Sequence, residues 1–450
     1  MPTCSVYPLA YSPNPSGFFS VMRHAPGAVL LDSGRPEADR GRFDILSAWP
    51  LEQFLPQAGE SGLTFIERLR DSLTHLGSSQ LPEHCPLPFA GGLIGYLAYD
   101  FGRLLEPLSQ QSLDDLHLPS ARLGLYDWAL ISDHHEQTSQ LVFHRACAPE
   151  QRQRLIALFS EPTPVRAGDF ALTGPFKADT SAAQYQQSFQ RIQDYIHAGD
   201  CYQVNLTQRF RAGYTGDPWA AYCALRGACP TPFAGYIALP QGDAVLSLSP
   251  ERFVKISQRQ VETRPIKGTR PRGKDAAEDA AYAAELLSSE KDRAENLMIV
   301  DLLRNDLGRA CRTGSVTVPE LFSLETYPNV HHLVSSVTGE LATGKDALDL
   351  LSGGFPGGSI TGAPKIRAMQ IIDELEPTQR ALYCGSLLYV DVRGEMDSSI
   401  TIRTLLAKDG QLSCWGGGGI VADSEGEAEY QETFTKVRVL LQTLENLKTL

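Results

Sequence analysis

The feature that most restricts the fold of this chain is a run of strand-like segments, YCGSLLYVDVRGEMDSSITIRTLLAKDGQLSCW, at residues 383–415. The turns at RGEM and KDG are too short for a crossover helix, so the strands that they join must pair antiparallel. The run predicts three antiparallel strands. Hairpins without regular β-α alternation favour an α+β fold, with antiparallel sheets packed face to face and flanked by helices, over a doubly wound parallel sheet.

Helical segments and one connection organise the rest of the chain. Apolar residues recur at helical spacing from Tyr185 to Ile196, after a Ser181/Gln184 capping box. A second helix is predicted to stop at Gly308, and a long one runs from residue 424 to the end. Residues 160–181 are rich in Pro, Gly and Ser, which predicts a connection between an N-terminal region, 1–165, and a C-terminal region, 180–445.

Charge and cysteine content exclude several classes of protein. The net charge is −13, with 40 basic against 53 acidic residues, which disfavours a nucleic-acid or anionic-membrane binder. The nine cysteines are scattered and form no C-x-x-C, which argues against a disulfide framework and a zinc site. Neither a signal peptide nor an apolar run of ~18 residues is visible. We expect a cytoplasmic protein that binds neither nucleic acid nor membrane.

Against this acidic background, the stretch RPIKGTRPRG at residues 264–273 is locally basic. Lys267 stands among three arginines there. Like charges this close repel, so a chain that keeps them together has an anion to bind or a pKa to shift. The stretch favours a small anionic ligand.

Carboxylates cluster on the last predicted helix. Glu425, Glu429 and Glu432 share one face, because they are spaced at i, i+4 and i+7. One interpretation is structural: acidic residues suit a helix N-terminus, and Glu432 with Lys436 is an ordinary ion pair. The other is a Mg²⁺ site, completed by Glu295 on an earlier helix. Spacing alone leaves both interpretations open.

Two glycine-rich segments also have two interpretations. GGFPGGSITGAPK, at 353–365, lacks the Gly-Lys-Ser/Thr that a phosphate-binding P-loop needs. CWGGGGIVADS, at 414–424, offers either backbone donors for an anion or a turn too tight for side chains. In SSITIRTLL, Ser399, Thr401 and Arg403 are predicted to share a strand face that meets either solvent or a cleft. His332 alone is more often structural than catalytic.

Together these segments resemble the chorismate-utilising enzymes, and most closely the first component of aminodeoxychorismate synthases. The resemblance covers the whole chain, and the C-terminal motifs occur in the family's order. The matching segments are LLDSGRP, GRFDIL, GGLIGYLAYD, LSLSPERF, TRPIKGTRPRG, KDRAENLMIVDLLRNDLGR, VHHLVSSVTG, GGFPGGSITGAPKIRAM, SITIRTL and GGGGIVADSEGEAEYQET. The resemblance implies the family fold of packed antiparallel sheets, with the active site in a deep cleft.

The lysine of PIKGT narrows the implied reaction. It resembles the hallmark of aminodeoxychorismate synthases, whereas anthranilate synthases typically have alanine there. Isochorismate-forming relatives activate water with a lysine at the position of Gln203. The resemblance implies that Lys267 adds to ring C2 of chorismate as the C4 hydroxyl leaves, and that ammonia then adds at C4. Only an uncharged amine can do this, and we expect Arg264, Arg270, Arg272 and Lys274 to depress the Lys267 pKa.

The resemblance also implies roles for other residues. Glu251 would be a general acid/base and His332 would assist loss of the hydroxyl. Glu295, Glu429 and Glu432 would hold Mg²⁺. The residues implied to bind substrate are Arg403 and Tyr389 at the enolpyruvyl carboxylate, the backbone of Gly417, Gly418 and Gly419 at a carboxylate, and Thr361, Lys365, Gly268 and Thr269 in the cleft.

Partners follow from the same resemblance. No glutaminase-like motif occurs in the 450 residues, so a separate glutamine amidotransferase subunit would supply ammonia. The product would lead to p-aminobenzoate and folate. LLDS resembles the LLES segment that helps to form a tryptophan pocket in anthranilate synthases, with Asp32 in place of the glutamate. Whether tryptophan binds stays open.

Three alternatives compete with this interpretation. The first is the first component of an anthranilate synthase, which Lys267 disfavours because its side chain would occupy the space near C2. The second is a non-catalytic protein that binds chorismate or tryptophan. A nucleotide enzyme with a P-loop is disfavoured by the incomplete motif.

Overall fold

Two large sheets form the framework of the chain in the computed structural model, which describes residues 3–38, 41–163, 165–327 and 330–447. One sheet has 13 strands and the other has 10, and neighbouring strands in both pair antiparallel. We call them the first and the second sheet. No helix in these described ranges is long and apolar enough to cross a membrane.

The strands of both sheets are numbered in chain order. They are β1 (Ser5–Leu9), β2 (Val29–Asp32), β3 (Phe43–Ser47), β4 (Glu52–Phe54), β5 (Gly92–Leu97), β6 (Ala121–Tyr126), β7 (Trp128–Asp133), β8 (Thr138–Phe143), β9 (Phe170–Leu172), β10 (Lys177–Ala178), β11 (Gln203–Gly216), β12 (Phe233–Ala238), β13 (Ala244–Ser249), β14 (Arg252–Ser257), β15 (Gln260–Thr263), β16 (Ile266–Pro271), β17 (Thr317–Thr326), β18 (Val330–Glu340), β19 (Gly362–Ala363), β20 (Ser386–Asp391), β21 (Met396–Ser399), β22 (Thr404–Lys408) and β23 (Gln411–Ile420).

Helices cover the sheets and fill the ends of the molecule. They are α1 (Ser16–Ser20), α2 (Gly62–Leu76), α3 (Gly102–Leu105), α4 (Pro149–Ser160), α5 (Ala182–His197), α6 (Pro218–Ala228), α7 (Ala276–Ser288), α8 (Glu290–Gly308), α9 (Ala347–Gly354), α10 (Lys365–Leu375) and α11 (Gly426–Glu445). Short 3₁₀ turns lie at Tyr99–Phe101, Pro240–Gly242 and Gly358–Ile360.

The strand order shows how the chain is distributed. The first sheet runs β1-β8-β7-β3-β2-β12-β13-β22-β23-β11-β10, with β9 and β19 also paired to β11. The second runs β16-β18-β15-β14-β21-β20-β5-β6-β4, with β17 paired to β18. Strands from both sides of residues 160–181 therefore contribute to each sheet. The division of the chain into two regions, 1–165 and 180–445, stays a prediction.

The main core lies between the two sheets. Val245 and Leu406 of the first sheet and Leu93 and Leu388 of the second belong to one buried apolar cluster. A second cluster lies on the other face of the first sheet, beneath α1, α4, α6 and α11. This arrangement confirms the predicted α+β class with antiparallel sheets packed face to face and flanked by helices.

Local sequence accounts for the helices near the site. α5 begins at the predicted capping box, in which Ser181 and Gln184 each bond to the other's backbone. α8 ends at Gly308, as predicted. α11 buries Val437 and Leu444 against the first sheet, and its opposite face meets solvent.

The strand run at residues 383–415 is divided between the sheets. It forms two hairpins, β20–β21 in the second sheet and β22–β23 in the first. The predicted single strand through SSITIRTLL is therefore wrong. The chain leaves β21 after Ser399 and crosses to β22 at Arg403, whose φ of 49° ends the extended conformation. Ser399, Thr401 and Arg403 do not share one strand face.

Candidate active site

Two chain segments cross side by side from one sheet to the other, and the candidate site lies beside them. One joins β13 to β14 through Glu251, and the other joins β21 to β22 through Arg403. Backbone hydrogen bonds hold them together, from Ile400 N to Glu251 O at 3.0 Å and from Leu248 N to Arg403 O at 3.0 Å. Residues far apart in sequence are thus fixed to the most rigid part of the fold.

Glu251 is a buried carboxyl group at the first crossing. Its Oε1 accepts a hydrogen bond from Ser359 Oγ at 2.8 Å. Burial raises its pKa, and the hydrogen bond from Ser359 and the charge of Lys267 oppose this only in part. Glu251 therefore holds a proton more readily than an exposed glutamate, as a general acid/base must.

Lys267 lies on β16, in the second sheet. The pairing of β16 with β18 is regular at Ile266 and from Thr269 onward, but its register shifts between them. Gly268 has a φ of 80° within this irregularity, and a Cβ there would lie 2.8 Å from Leu286 Cδ1. Bulges of this kind re-aim a side chain. Here the irregularity leaves Lys267 Nζ 3.4 Å from Ser359 O, on the side of Glu251.

The Lys267 amine is less basic than a free lysine. Burial of the amine lowers its pKa, and the nearby cation of Lys436 lowers it further. Glu295, Glu251 and Glu432 act in the opposite direction without restoring the ordinary value. No carboxylate in the described part of the chain forms an ion pair with Lys267. A lowered pKa supplies the uncharged amine that nucleophilic attack needs.

The arginines around Lys267 do not cause this shift, contrary to the expectation from sequence. Arg264 pairs with Glu320 and Glu325, at 2.9 and 2.7 Å. Arg270 pairs with Glu285 and Asp292, and Arg272 with Asp279. The carboxylates neutralise all three guanidinium groups, and neither these arginines nor Lys274 is among the main influences on the Lys267 pKa. The direction of the shift is as expected, but burial and Lys436 produce it.

His332 faces the bulge from β18. Its Nδ1 lies 2.9 Å from Thr269 Oγ1, and the backbone of Gly268 also bonds to its ring. Burial and the charge of Arg403 lower its pKa to about 4. The ring is therefore neutral at neutral pH, so it acts as a hydrogen-bonding group and not as an imidazolium. Thr269 and Gly268 orient this ring.

Arg403 carries a positive charge on the crossing from β21 to β22. Its charge acts on His332, which places it on the same side of the fold as Lys267. Among the described residues, no carboxylate pairs with its guanidinium. A half-buried arginine in the left-handed region, left unpaired, is suited to bind a carboxylate from outside the chain.

Three carboxylates face this region from two helices. Glu295 on α8 and Glu429 on α11 both have pKa values raised by burial. Glu432 has a lowered pKa, because Lys436, at 2.7 Å from its Oε1, outweighs the effect of burial. Glu429 and Glu432 meet beside Gly418. A Cβ atom on that glycine would lie 3.0 Å from Glu429 Oε2 and 3.2 Å from Glu432 Oε1.

This donor set fits Mg²⁺ in its chemistry. All three groups are carboxylates, which Mg²⁺ prefers, and a divalent cation would offset both the burial that raises the Glu295 and Glu429 pKa values and the smaller repulsion by Glu432. The described ranges contain no group of three acidic, histidine or cysteine side chains already gathered at ligand distance. The three carboxylates are near one another, but their oxygens do not surround a common metal position.

The glycines of β23 pair with β11. Asn205 and Thr207 lie opposite Gly419 and Gly417 but donate their N–H groups off the sheet, at 2.7 and 2.9 Å. Opposed antiparallel residues exchange both hydrogen bonds or neither. The N–H groups of Gly417 and Gly419 therefore point away from β11, to the side of β23 where β22 has already ended. Gly418, in contrast, is hydrogen-bonded to β11. Two of the three predicted backbone donors stay available.

Three predicted substrate contacts have other partners in the structure. Thr361 Oγ1 donates to the backbone of the preceding turn, to Gly357 O at 3.1 Å. Lys365 Nζ forms a buried ion pair with Asp306 at 2.7 Å. Tyr389 packs against Phe89 and lines a cavity to which Arg403 does not contribute. Thr361 and Lys365 fix the loop between α9 and α10, and the substrate contact of Tyr389 stays a prediction.

That second cavity, of about 250 Å³, lies between the N-terminal strands and the second sheet; we call it the N-terminal cavity. Its lining residues are Leu31, Asp32, Gly41, Arg42, Phe43, Ile45, Pro88, Pro232, Phe233, Ala234, Arg252, Lys255, Leu387, Tyr389, Asp397, Ser398 and Ser399. Asp32, the residue singled out in LLDS, is bound by Arg226 and Tyr222, at 2.7 Å each. The Ser399 hydroxyl is buried with no partner among the described residues.

Sequence reasoning missed two residues of the site and named a third, Gln203, only as the counterpart of a lysine in isochorismate-forming relatives. Ser359 bonds Glu251 and lies within GGSITGAPK, where only Thr361 and Lys365 were singled out. Lys436 was interpreted only as a helix pair, but it also acts on Lys267 and donates to Gly417 O at 2.8 Å. Gln203 is fully buried, and its amide has no partner among the described residues.

Comparison of the chain with known proteins shows its family. The family described as chorismate binding enzyme matches residues 28–442. The chain therefore belongs to the chorismate-binding enzymes.

Individual relatives narrow the class. Aminodeoxychorismate synthase component 1 of Klebsiella aerogenes is 49% identical over 440 residues, which covers 95% of this chain and 96% of the relative. The Escherichia coli protein of the same name is 48% identical, covering 95% of both. The crystal structure of anthranilate synthase component I from Streptococcus pneumoniae superposes with a TM-score of 0.78 at 31% identity, covering 90% of this chain and 93% of that one.

Proposed function

We propose that this chain is the chorismate-converting component of an aminodeoxychorismate synthase, which forms 4-amino-4-deoxychorismate and water from chorismate and ammonia. The observation that carries the proposal is the setting of Lys267, a lysine of lowered pKa that points from a bulge toward a protonatable Glu251. The full-length similarity to chains named aminodeoxychorismate synthase component 1 supports it.

In the first step, Lys267 forms a covalent bond to the substrate. The uncharged Nζ adds to ring C2, the two ring double bonds shift, and the bond from C4 to its hydroxyl oxygen breaks. Glu251 gives its proton to the departing oxygen, which leaves as water. His332, neutral at working pH, hydrogen-bonds the hydroxyl as it leaves. One difficult displacement is thereby divided into two easier ones.

In the second step, ammonia replaces the lysine. Ammonia adds at C4, the double bonds shift back, and the bond between Nζ and C2 breaks. The proton lost by the ammonia nitrogen balances the one that Glu251 delivered, so the carboxyl is ready for the next cycle. The enolpyruvyl group is retained throughout.

Substrate orientation depends on groups that the fold leaves unpaired. Arg403 is placed to bind one carboxylate of the dianion, and the N–H groups of Gly417 and Gly419 the other. Glu295, Glu429 and Glu432 would hold Mg²⁺, which supplies positive charge for the ring carboxylate when it is bound. These contacts fix C2 near Nζ before reaction.

The ammonia source is a separate chain in this proposal. "Component 1" in the names of the relatives implies a further component. We infer that it is a glutamine amidotransferase, because that reaction releases ammonia, and that free ammonia substitutes for it. All nine cysteines are free, which fits a reducing cytoplasm.

The N-terminal cavity is the candidate site for tryptophan. Its volume, its aromatic wall and the unpartnered Ser399 hydroxyl support a small aromatic amino acid as ligand. Asp32 would shape the wall without binding the ligand directly, since its oxygens are already bonded inside the fold.

The test is product identification. The purified chain is incubated with chorismate, Mg²⁺ and an ammonium salt at alkaline pH, and the product is passed to an aminodeoxychorismate lyase. p-Aminobenzoate is expected, with no tryptophan required. Anthranilate as the product would show instead that the chain is an anthranilate synthase component, and the absence of turnover with both ammonia and a glutaminase partner would favour a non-catalytic binding protein.

A further inference from the structure

Ser359 contacts both reacting groups of the proposed site. Its side-chain Oγ donates to Glu251 Oε1 at 2.8 Å, and its backbone oxygen accepts from Lys267 Nζ at 3.4 Å. The general acid comes from the crossing between the sheets and the nucleophile from β16. The Ile266 backbone also bonds to the Glu251 carboxyl group, but Ser359 contacts both the carboxyl group and the amine. Ser359 therefore links the Glu251 carboxyl group to the Lys267 amine.

The turn that carries Ser359 is itself rigidly held. Ile360 O accepts from Asn205 Nδ2 and from Arg380 Nη1, each at 3.0 Å. Arg380 is almost fully buried and forms a two-point ion pair with Glu376, at 2.7 and 2.9 Å. Buried, fully bonded networks of this kind restrict motion strongly. The turn is therefore a fixed support and not a flexible loop.

The hydroxyl of Ser359 also favours one oxygen of Glu251 as the site of the proton. A serine has a single O–H, and Ser359 Oγ lies 2.8 Å from Oε1, to which it donates. A carbonyl-type oxygen accepts better than a protonated one, so this bond favours the carboxyl proton on Oε2. The backbone contact does the same for the amine, because an N–H directed at Ser359 O turns the Nζ lone pair elsewhere.

We propose that Ser359 is the positioning residue of the reaction: it holds the Glu251 proton on Oε2 and orients the Lys267 amine toward the substrate. This inference rests on the proposed function, since it names the geometry of the same acid and nucleophile. Ser359 forms no bond to substrate and acts only through its two neighbours.

The first variant is Ser359→Ala, which removes the donor to Glu251. Without that bond, the ionised form of Glu251 loses stabilisation, so its protonation midpoint moves upward by about one pH unit. We expect kcat for aminodeoxychorismate formation to fall about tenfold, with KM for chorismate within about twofold. Infrared titration of the Glu251 carboxyl, with Glu251→Gln as the spectral reference, measures the midpoint without turnover.

Two further variants separate positioning from folding. Ser359→Thr keeps the hydroxyl and is expected to restore the midpoint and most of kcat. Ser359→Cys keeps nearly the same volume but offers a weaker donor, and it is expected to give an upward shift smaller than that of Ser359→Ala. Ser47→Ala is the control, because it removes an equally buried hydroxyl, bonded to Trp128 O at 2.7 Å, far from the site.

The outcomes are distinguishable. An unchanged Glu251 midpoint in folded Ser359→Ala or Ser359→Cys would overturn the inference, as would a kcat loss that Ser359→Thr does not relieve. If the wild-type chain makes a different product, the proposed function fails, while the infrared midpoints still decide whether Ser359 controls the Glu251 proton.

Discussion

The two polar regions between the sheets differ in how their charges are paired. In the N-terminal cavity, Asp32 is bonded to Arg226, and Arg252 to Asp397. At the candidate active site, Lys267 and Arg403 have no carboxylate partner in the described ranges, and Glu251 is bonded to neutral groups, the Ser359 hydroxyl and the Ile266 backbone.

The paired charges of the N-terminal cavity stabilise the fold, whereas the unpaired charges of the candidate active site are available for the reaction. A buried charge costs free energy unless it is paired, so a fold without a function at that place would pair it or remove it. Groups left unpaired at a fixed position are available to a substrate that brings the opposite charge. The paired region should therefore respond to mutation by losing stability, and the unpaired region by losing activity.

The largest expected effect is that of Lys267→Ala. It removes the nucleophile, so we expect aminodeoxychorismate formation to fall by a factor on the order of 10³ or more. Because Lys267 makes no ion pair, the free energy of unfolding should stay within about 1 kcal/mol of the wild-type value. Ammonia-dependent turnover and urea denaturation measure the two quantities.

The matched control is Arg264→Gln in the same basic stretch. Arg264 pairs with Glu320 and Glu325 and is not among the main influences on the Lys267 pKa. We expect kcat to change by less than about twofold. A loss as large as that of Lys267→Ala would mean that the stretch acts as one charged unit, and the comparison would fail.

Asp32→Ala should produce the converse result. It removes the buried carboxylate and leaves the Arg226 guanidinium with only the part-exposed Glu37, at 3.0 Å, which costs about 3 kcal/mol of unfolding free energy. Turnover per folded molecule should stay near the wild-type value. Asp301→Ala, in an exposed pair with Arg304, should cost less than about 1 kcal/mol.

His332 should make the protein less stable in acid. Its pKa is about 4 when folded against 6.5 when free, so the unfolded chain binds the proton first as pH falls. Its contribution is fully present above pH 6.5 and is lost as pH falls toward 4, by roughly 3 kcal/mol. His332→Asn should lack this loss, and denaturation curves across that window compare the two proteins. Parallel pH dependence would contradict the buried, neutral ring.

The smallest effect concerns the glycine that faces the carboxylates. Gly418→Ala would place a methyl group about 3 Å from Glu429 and Glu432. Both side-chain ends must shift, so we expect the Mg²⁺ concentration for half-maximal activity to rise about tenfold, with kcat nearly restored at saturating Mg²⁺. Glu429→Gln should show a larger shift. An unchanged Mg²⁺ requirement in both would exclude the proposed metal site.

The sequence predicted the elements that depend on local pattern. The capping box of α5, the end of α8 and the two hairpin turns all follow from residues a few positions apart. It also predicted that Lys267 is less basic than a free lysine. Burial of Lys267, however, depends on β18, α8 and the loop at Ser359, none of which adjoins it in sequence.

The failures share a physical cause. Arg403 interrupts a segment with good strand alternation because the chain must change sheets there, which alternation cannot show. Tyr389 and Arg403 were expected together from the resemblance to the family, but Tyr389 lines the N-terminal cavity, to which Arg403 does not contribute. The arginines near Lys267 turned out to be paired with carboxylates of β17, α7 and α8, which only the tertiary structure brings near.

The most direct test of the central claim is intact-protein mass spectrometry of the chain mixed with chorismate and Mg²⁺ and quenched before ammonia is added. We predict an adduct of chorismate less one water on the peptide that contains Lys267, absent from Lys267→Ala and discharged by ammonia as 4-amino-4-deoxychorismate. Full ammonia-dependent turnover by Lys267→Ala, or an adduct on another residue, would contradict the account.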